Sequence, residues 1–262
     1  MSGVGRAFGV ELVKARRSLV PLLTALAFSI APLVGGFFMI VIGDPDLARR
    51  LGLISTKAQI MAGEADWPTF LGLLAQAIAV GGILLFSLIA TWVFGREHAD
   101  RTIRDLLALP TPRSSIVLAK FILVALWSGA LAGLVYLIGL GVGAAVGLPA
   151  ASAETFRDGT ITVAISAVLT IALVTPIAFL ASAGRGYLPP MGGAMLALVL
   201  AQIVAAAGWG EYFPWSVAAL YAGMAGPEHA NPRSVSYALV LLTGLAGLIA
   251  TILWWERADQ TE

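Results

Sequence analysis

The sequence predicts an all-α membrane protein that crosses the bilayer six times. Of its 262 residues, 59% are hydrophobic and only 12% are charged, whereas a typical soluble domain is roughly 25% charged. Apolar runs of the length that a membrane-spanning helix needs, about 20 residues, recur along the chain. The 16 basic and 15 acidic residues nearly cancel, so the net charge gives no reason to expect a nucleic-acid partner.

The N-terminal segment, residues 3–18, is predicted to form an amphipathic helix in the headgroup layer. Arg6, Lys14 and Arg16 are interleaved there with apolar side chains, which is the pattern of an interfacial helix. The alternative is a basic anchor that only sets the orientation of the chain. The first span follows at about 19–42, and it is longer than the apolar core of a cleaved signal peptide, about 7–15 residues.

Five further spans are predicted, and together the six form one transmembrane domain over residues 1–262. Aromatic residues at both ends of the second span are typical of interfacial belts, and glycines in the third favour close helix packing or a bend. Residues 208–234 are aromatic and broken by prolines, so they are predicted to lie at the interface or to re-enter the membrane before the last span. These spans lie at about 67–94, 114–148, 160–183, 187–207 and 235–255, and the third contains Gly129, Gly133, Gly139, Gly141 and Gly143.

The most charged stretch, residues 95–113, separates the second and third spans. Glu97 lies four residues before Arg101, and further opposite charges follow at the same spacing, so they are neighbours on one helical surface. Pro110 ends this helix because proline lacks an amide proton and disfavours a helical residue before it. The pattern predicts a short cytoplasmic amphipathic helix joined to the third span. The alternative is that the charges only solvate a loop, each exposed pair contributing about 0.3–0.5 kcal/mol.

The distribution of basic residues predicts that both termini are cytoplasmic. In that topology 11 of the 16 basic residues lie on the inner side, as the positive-inside rule requires. Lys120, one or two turns inside the third span, is then expected to extend its ammonium group back to the cytoplasmic surface.

Several kinds of active site are disfavoured by the sequence. No phosphate-binding loop of the form G-x-x-x-x-G-K-[ST] occurs, so ATP hydrolysis by that route is not expected. There is no cysteine, and His98 and His229 fall on opposite sides of the membrane, so no metal site is predicted. The spans lack an evident acid or base, which disfavours an ion-driven carrier. Gln76, Thr91 and Gln202 either line a substrate path or hydrogen-bond between helices.

One motif, FGREHADRTIRDLLALPTPRSSIVLAK after the second span, resembles a known family pattern. It is similar to the permease subunits of type-2 ABC exporters, particularly those of bacitracin and lantibiotic self-protection and of multidrug efflux. The resemblance covers the whole chain and includes the basic N-terminus ELVKARRS and the broken aromatic segment. The family positions are matched by Glu97, Thr102, Leu106, Leu107, Pro110, Arg113 and Lys120, while Arg101 stands where the family often has glycine.

The resemblance implies that residues 95–113 form a coupling helix that docks on a separate ABC ATP-binding subunit. The implied docking residues are Arg96, Glu97, Asp100, Arg101, Thr102, Arg104, Asp105, Leu106, Leu107, Pro110 and Arg113. The chain itself is then no enzyme and binds no cofactor, since the partner holds ATP and Mg. Two ATPase copies and a second permease, identical or homologous, would complete the complex.

The resemblance also implies a setting and a cargo. The exporter would lie among the lipids of a bacterial or archaeal plasma membrane and move an amphipathic or hydrophobic compound, such as a peptide antibiotic or drug. A non-transporting sensor or scaffold is the alternative, and a secondary carrier is the less favoured one.

Overall fold

The computed structural model describes residues 3–50, 64–100, 111–184, 186–226 and 231–257, and within these ranges all regular structure is helical. Six helical segments in these ranges are long and apolar enough to cross a bilayer. The predicted fold class, an all-α polytopic membrane protein, is therefore confirmed.

The helices follow one another without long intervening loops in the described ranges. In chain order they are α1 (Gly3–Arg16), α2 (Val20–Gly43), α3 (Pro45–Arg50), α4 (Trp67–Ala99), α5 (Arg113–Val146), α6 (Ala153–Ala172), α7 (Thr175–Ala183), α8 (Leu188–Ala206), α9 (Pro214–Tyr221) and α10 (Ser234–Arg257). A 3-10 turn, Gly210–Tyr212, precedes α9. The candidate spans are α2, α4, α5, α6 with α7, α8 and α10.

The fourth span begins earlier than expected and contains a break. The predicted spans 114–148 and 160–183 leave residues 149–159 between them, but α6 already starts at Ala153. The Ser152 hydroxyl oxygen caps this helix by accepting a hydrogen bond from the Thr155 amide at 3.1 Å. The helix is interrupted between α6 and α7 because Pro176 has no amide proton for the preceding turn.

Helix α4 is the most buried of the six spans and forms the centre of the bundle. It packs against α2, α5, α6, α7 and α8. Its buried face is formed by large apolar side chains at helical spacing, namely Phe70, Leu71, Leu74, Ile78, Phe86, Ile89 and Phe94. By contrast, α2 leaves Leu22, Leu23 and Leu26 more than half exposed, which is the surface that a bilayer covers.

The glycines of α5 divide into two groups. A Cβ added at Gly143 would lie 2.6 Å from the Trp67 ring, and one at Gly139 would collide with Leu74, so these two admit α4 side chains. At Gly129, Gly133 and Gly141 an added Cβ would meet nothing within 4 Å. The expected packing role therefore holds for two of the five glycines.

The segment before the last span is folded against the bundle. Val217 and Ala218 of α9 are fully buried, while Trp209 and Tyr212 remain exposed. Helix α9 packs on α6, α8 and α10. Whether this segment re-enters a membrane stays a prediction.

Contacts between helix ends show that successive spans run in opposite directions. At one end, which we call the basic end, Lys14 and Lys120 both pair with Glu11. At the same end Arg113 donates to the carbonyl of Trp255 at 3.2 Å. At the other end the rings of Trp67 and Phe156 lie 4.9 Å apart. The start of α5 and the ends of α1, α4 and α10 therefore share the basic end.

Candidate functional site

The candidate site lies at the basic end, where α1 packs across the end of α4 and the beginning of α5. Helix α4 continues past the expected end of the second span and reaches Ala99. This extension keeps Arg96 and Glu97 in helical register with the membrane-spanning part of α4. The first residues of the charged stretch are thus a continuous part of helix α4.

Four ionisable side chains meet at this junction, and we call Glu11, Lys14, Glu97 and Lys120 the four-charge cluster. Lys14 Nζ lies 2.9 Å from Glu11 Oε1 and 2.7 Å from Glu97 Oε1. Lys120 Nζ lies 3.1 Å from Glu11 Oε2 and 3.1 Å from Glu97 Oε1. Two lysines and two carboxylates make the cluster formally neutral, and it connects three helices.

Local helix geometry brings these groups together. Glu11 and Lys14 are three residues apart in α1 and so share one face of that helix. In α4, Val93 and Glu97 are four residues apart, which stacks the Val93 carbonyl and the Glu97 side chain on the same face. Lys120 then inserts between the two faces from α5.

The sequence predicted that Lys120 extends its ammonium group to the surface. This prediction is wrong, because α1 covers the side chain. Its side chain is completely buried. The Nζ donates to the carbonyl oxygen of Val93 at 2.8 Å as well as to Glu11 and Glu97. An ammonium group has three donors, and here each has an acceptor. These three hydrogen bonds replace the water molecules that an exposed ammonium group would bind.

Lys14 lies at the wetter edge of the cluster, with a quarter of its side chain exposed. Burial by itself lowers the pKa of an ammonium group, but the carboxylates of Glu11 and Glu97 outweigh that effect and raise the pKa of Lys14 above its ordinary value. The ammonium group is therefore charged at physiological pH, and its contribution to stability is lost only above about pH 10.5.

The structure positions part of the predicted docking set. Arg96 pairs with Asp100 at 2.9 Å and lies over the Trp92 ring, 5.1 Å from its centroid. Arg113 donates to the carbonyls of Trp255 and Glu256 in the last turn of α10. The other predicted docking residues, Arg101, Thr102, Arg104, Asp105, Leu106, Leu107 and Pro110, lie outside the described residues.

Glu97, a member of the predicted docking set, is buried in the structure, and its docking role stays a prediction. Only 3% of the residue is exposed. Its carboxylate is turned towards Lys14 and Lys120 because a buried lysine requires an opposite charge nearby. Sequence reasoning did not single out Glu11 and Lys14; their spacing in an amphipathic helix, together with a lysine inside a span, was the available signal.

The three predicted substrate-path residues are not brought together. Gln76 Nε2 donates to the Ala222 carbonyl at 3.2 Å, which is the helix-to-helix role considered above. Thr91 is buried on the same helix, about 22 Å further along at 1.5 Å per residue. Gln202 is exposed and lines a cavity of about 230 Å³ between α4, α8 and α9. Neither Gln76 nor Thr91 lines that cavity.

Comparison with known proteins adds two findings to this geometry. A family model described as "ABC-2 family transporter protein" matches residues 7–203, a range that includes every member of the four-charge cluster. The chain is also 27% identical over 179 residues to the bacitracin transport permease protein BCRB of Bacillus licheniformis, and the alignment covers 68% of this chain and 85% of that protein.

Proposed function

This chain belongs to the ABC-2 family of transporter proteins, and from that membership we propose that it is the permease subunit of an ATP-driven exporter. As a multi-pass membrane protein of this family it is a transmembrane subunit of a transporter. The finer proposal is that separate ABC subunits hydrolyse ATP, with Mg, and that this chain uses the resulting movement to carry a compound outward.

The observation that carries the proposal is the four-charge cluster at the basic end. Residues 100–112 connect α4 to α5, and the cluster joins the adjoining ends of these two helices to each other and to α1. A force applied to the connecting residues would therefore reach three helices together. Such rigid-body movement is a known way of opening one side of a membrane protein and closing the other.

The direct docking contacts are proposed to come from the charges that follow Glu97 in the sequence. Arg101, Arg104 and Asp105 are proposed to contact the ATPase directly, together with the neighbouring residues predicted above. Charge-assisted hydrogen bonds of this kind are stronger than neutral ones. Glu97 is proposed to support the docking contacts indirectly, because its ion pairs hold α4 to α1 and α5.

The proposed location follows from the charges of the bundle. The basic end is placed in the cytoplasm of a bacterium or archaeon because basic residues favour the cytoplasmic side of a plasma membrane. Both termini and the ATPase would then lie on that side, and a second permease copy or a homologue would lie beside this chain in the membrane.

The proposed cargo is an amphipathic or hydrophobic compound such as a peptide antibiotic. Support comes from the aligned relative, which is a bacitracin transport permease. The cavity that contains Gln202 is mostly apolar and lies among the spans, which suits such a compound.

Docking is tested by co-purifying the ATPase with the full chain in mild detergent. Arg101→Ala is expected to reduce the recovered ATPase at least several-fold, because a charge-assisted contact is removed. Arg157→Ala is the matched control: it removes one exposed arginine at the opposite end of the bundle and should leave recovery unchanged. Equal recovery with both variants would contradict the docking role.

Export is tested in membrane vesicles that contain both subunits. Transport that requires ATP and stops with vanadate supports the exporter. Transport by the purified chain alone in liposomes would support a secondary carrier, and ATPase binding without any transport would support a sensor or scaffold.

A further inference from the structure

A second feature of the basic end is an open cavity of about 460 Å³ beside the four-charge cluster. It lies where α1 turns into α2, next to the end of α4 and the beginning of α8. Its lining combines three basic side chains, Lys14, Arg17 and Arg96, with the acidic Asp100 and the aromatic rings of Trp92 and Tyr187.

The lining has an excess of positive charge. Lys14 is balanced inside the four-charge cluster, and Arg96 pairs with Asp100. Arg17 has no carboxylate partner within the described ranges of the chain. The cavity therefore presents about one positive charge that nothing in the described structure neutralises.

Arg96 adds an unused donor to this charge. Its Nε donates to Asp100, but its Nη1 is buried and has no hydrogen-bond acceptor among the residues described. A buried donor without an acceptor is costly and is usually satisfied by water, an ion or a ligand. An anion with several oxygen atoms would satisfy both arginines at once.

The side chains beside the cavity, at the beginnings of α2 and α8, are strongly apolar and exposed. Leu19 follows Ser18 directly and is 71% exposed, Leu22 is 56% exposed, and Leu188, next to Tyr187, is 84% exposed. These side chains lead from the cavity into the surface that the bilayer covers. A bare anion would gain nothing from this arrangement, whereas a lipid would place its headgroup in the cavity and its acyl chains along α2 and α8.

From this juxtaposition we propose that the cavity binds the phosphate headgroup of an anionic phospholipid. Arg17 and Arg96 contact the phosphate oxygens, and the acyl chains lie against Leu19, Leu22 and Leu188. The cavity, at about 460 Å³, has room for a phosphate group. The proposal concerns a lipid that holds α1 in place, and it is independent of the cargo and the ATPase.

Native mass spectrometry of the delipidated full chain in detergent tests the proposal, because a micelle of neutral detergent has no membrane surface charge. Phosphatidylglycerol is the probe. Arg17→Gln is expected to weaken its binding about fivefold, the effect of one basic side chain on an anionic headgroup. Arg16→Gln is the matched control, since Arg16 is also exposed and basic but does not line the cavity, and it should retain wild-type binding.

Three results would overturn the proposal. Equal weakening by Arg16→Gln and Arg17→Gln would mean that the lipid binds to diffuse positive charge. Equal retention of zwitterionic phosphatidylcholine would remove the preference for an anionic headgroup. Displacement of phosphatidylglycerol by inorganic phosphate at equal concentration would assign the cavity to a small anion instead of a lipid.

Discussion

Lys120 shows how a charged side chain is kept inside this bundle. Its ammonium group has no contact with solvent and is held by two carboxylates and one backbone carbonyl. Removing one member of a buried ion pair leaves an uncompensated charge, which costs more than the pair itself contributes. The cluster therefore constrains which residues can change singly.

We expect Lys120→Met to destabilise the folded chain by about 3–5 kcal/mol, because Glu11 and Glu97 then share only Lys14. Lys14→Met should cost less, since a quarter of the Lys14 side chain is exposed and water can replace it. Thermal unfolding of the purified chain in detergent measures both. Equal midpoints for the two variants would contradict the buried role of Lys120.

The double variant Glu11→Gln with Lys120→Met separates pairing from packing. If the two side chains interact as the 3.1 Å contact indicates, the double variant should be less destabilised than the sum of the single variants. Simple additivity would mean that each residue acts alone.

At the scale of helices, the closest approach of the last span is to the break in the fourth. Thr175 Oγ1 donates to the Gly244 carbonyl at 2.6 Å, and a Cβ added at Gly247 would lie 2.6 Å from the carbonyl carbon of Thr175. Backbone cannot move aside as a flexible side chain can. Gly247 is therefore the position that lets α7 and α10 pack in contact.

Gly247→Ala is expected to force α7 and α10 apart and to cost about 1–3 kcal/mol, the usual penalty for inserting a methyl group into a packed contact. Gly133→Ala provides the control because a Cβ there meets nothing within 4 Å. Both are compared with the wild type by thermal unfolding in the same detergent. A neutral Gly247→Ala would mean that the two helices are less tightly packed than described.

At the scale of the whole molecule, the antiparallel order of the spans gathers basic residues at one end. That end holds Lys14, Arg96, Arg113 and Lys120, and the positive-inside rule predicts that it faces the cytoplasm. The candidate docking stretch and the proposed lipid cavity lie at the same end. The docking and export proposals both assume this orientation of the bundle.

The orientation is directly testable because the chain contains no cysteine. Arg16 and Arg157 are both exposed and lie at opposite ends of the bundle. The variants Arg16→Cys and Arg157→Cys each introduce a single cysteine at one end. In intact cells a membrane-impermeant maleimide should label the cysteine at 157, and it should label the one at 16 only after permeabilisation. The reverse pattern would place the basic end outside.

The sequence alone determined the number of spans, their order and the class of the fold. A bilayer demands about 20 apolar residues in one helix for each crossing, and that demand is met locally, within each segment. The family pattern after the second span was equally local, and the match over residues 7–203 supports the same family.

Only the tertiary structure decided the surroundings of Glu97 and Lys120, and which glycines of α5 admit a neighbour. In the sequence Glu97 is one of several charges in the stretch 95–113. In the structure it is buried, and it pairs with Lys14 of α1. Lys120 and Glu11 are 109 residues apart in the chain, so no local pattern contains their pairing. Burial of a charge depends on what packs around it, and that is a property of the folded bundle and not of the segment.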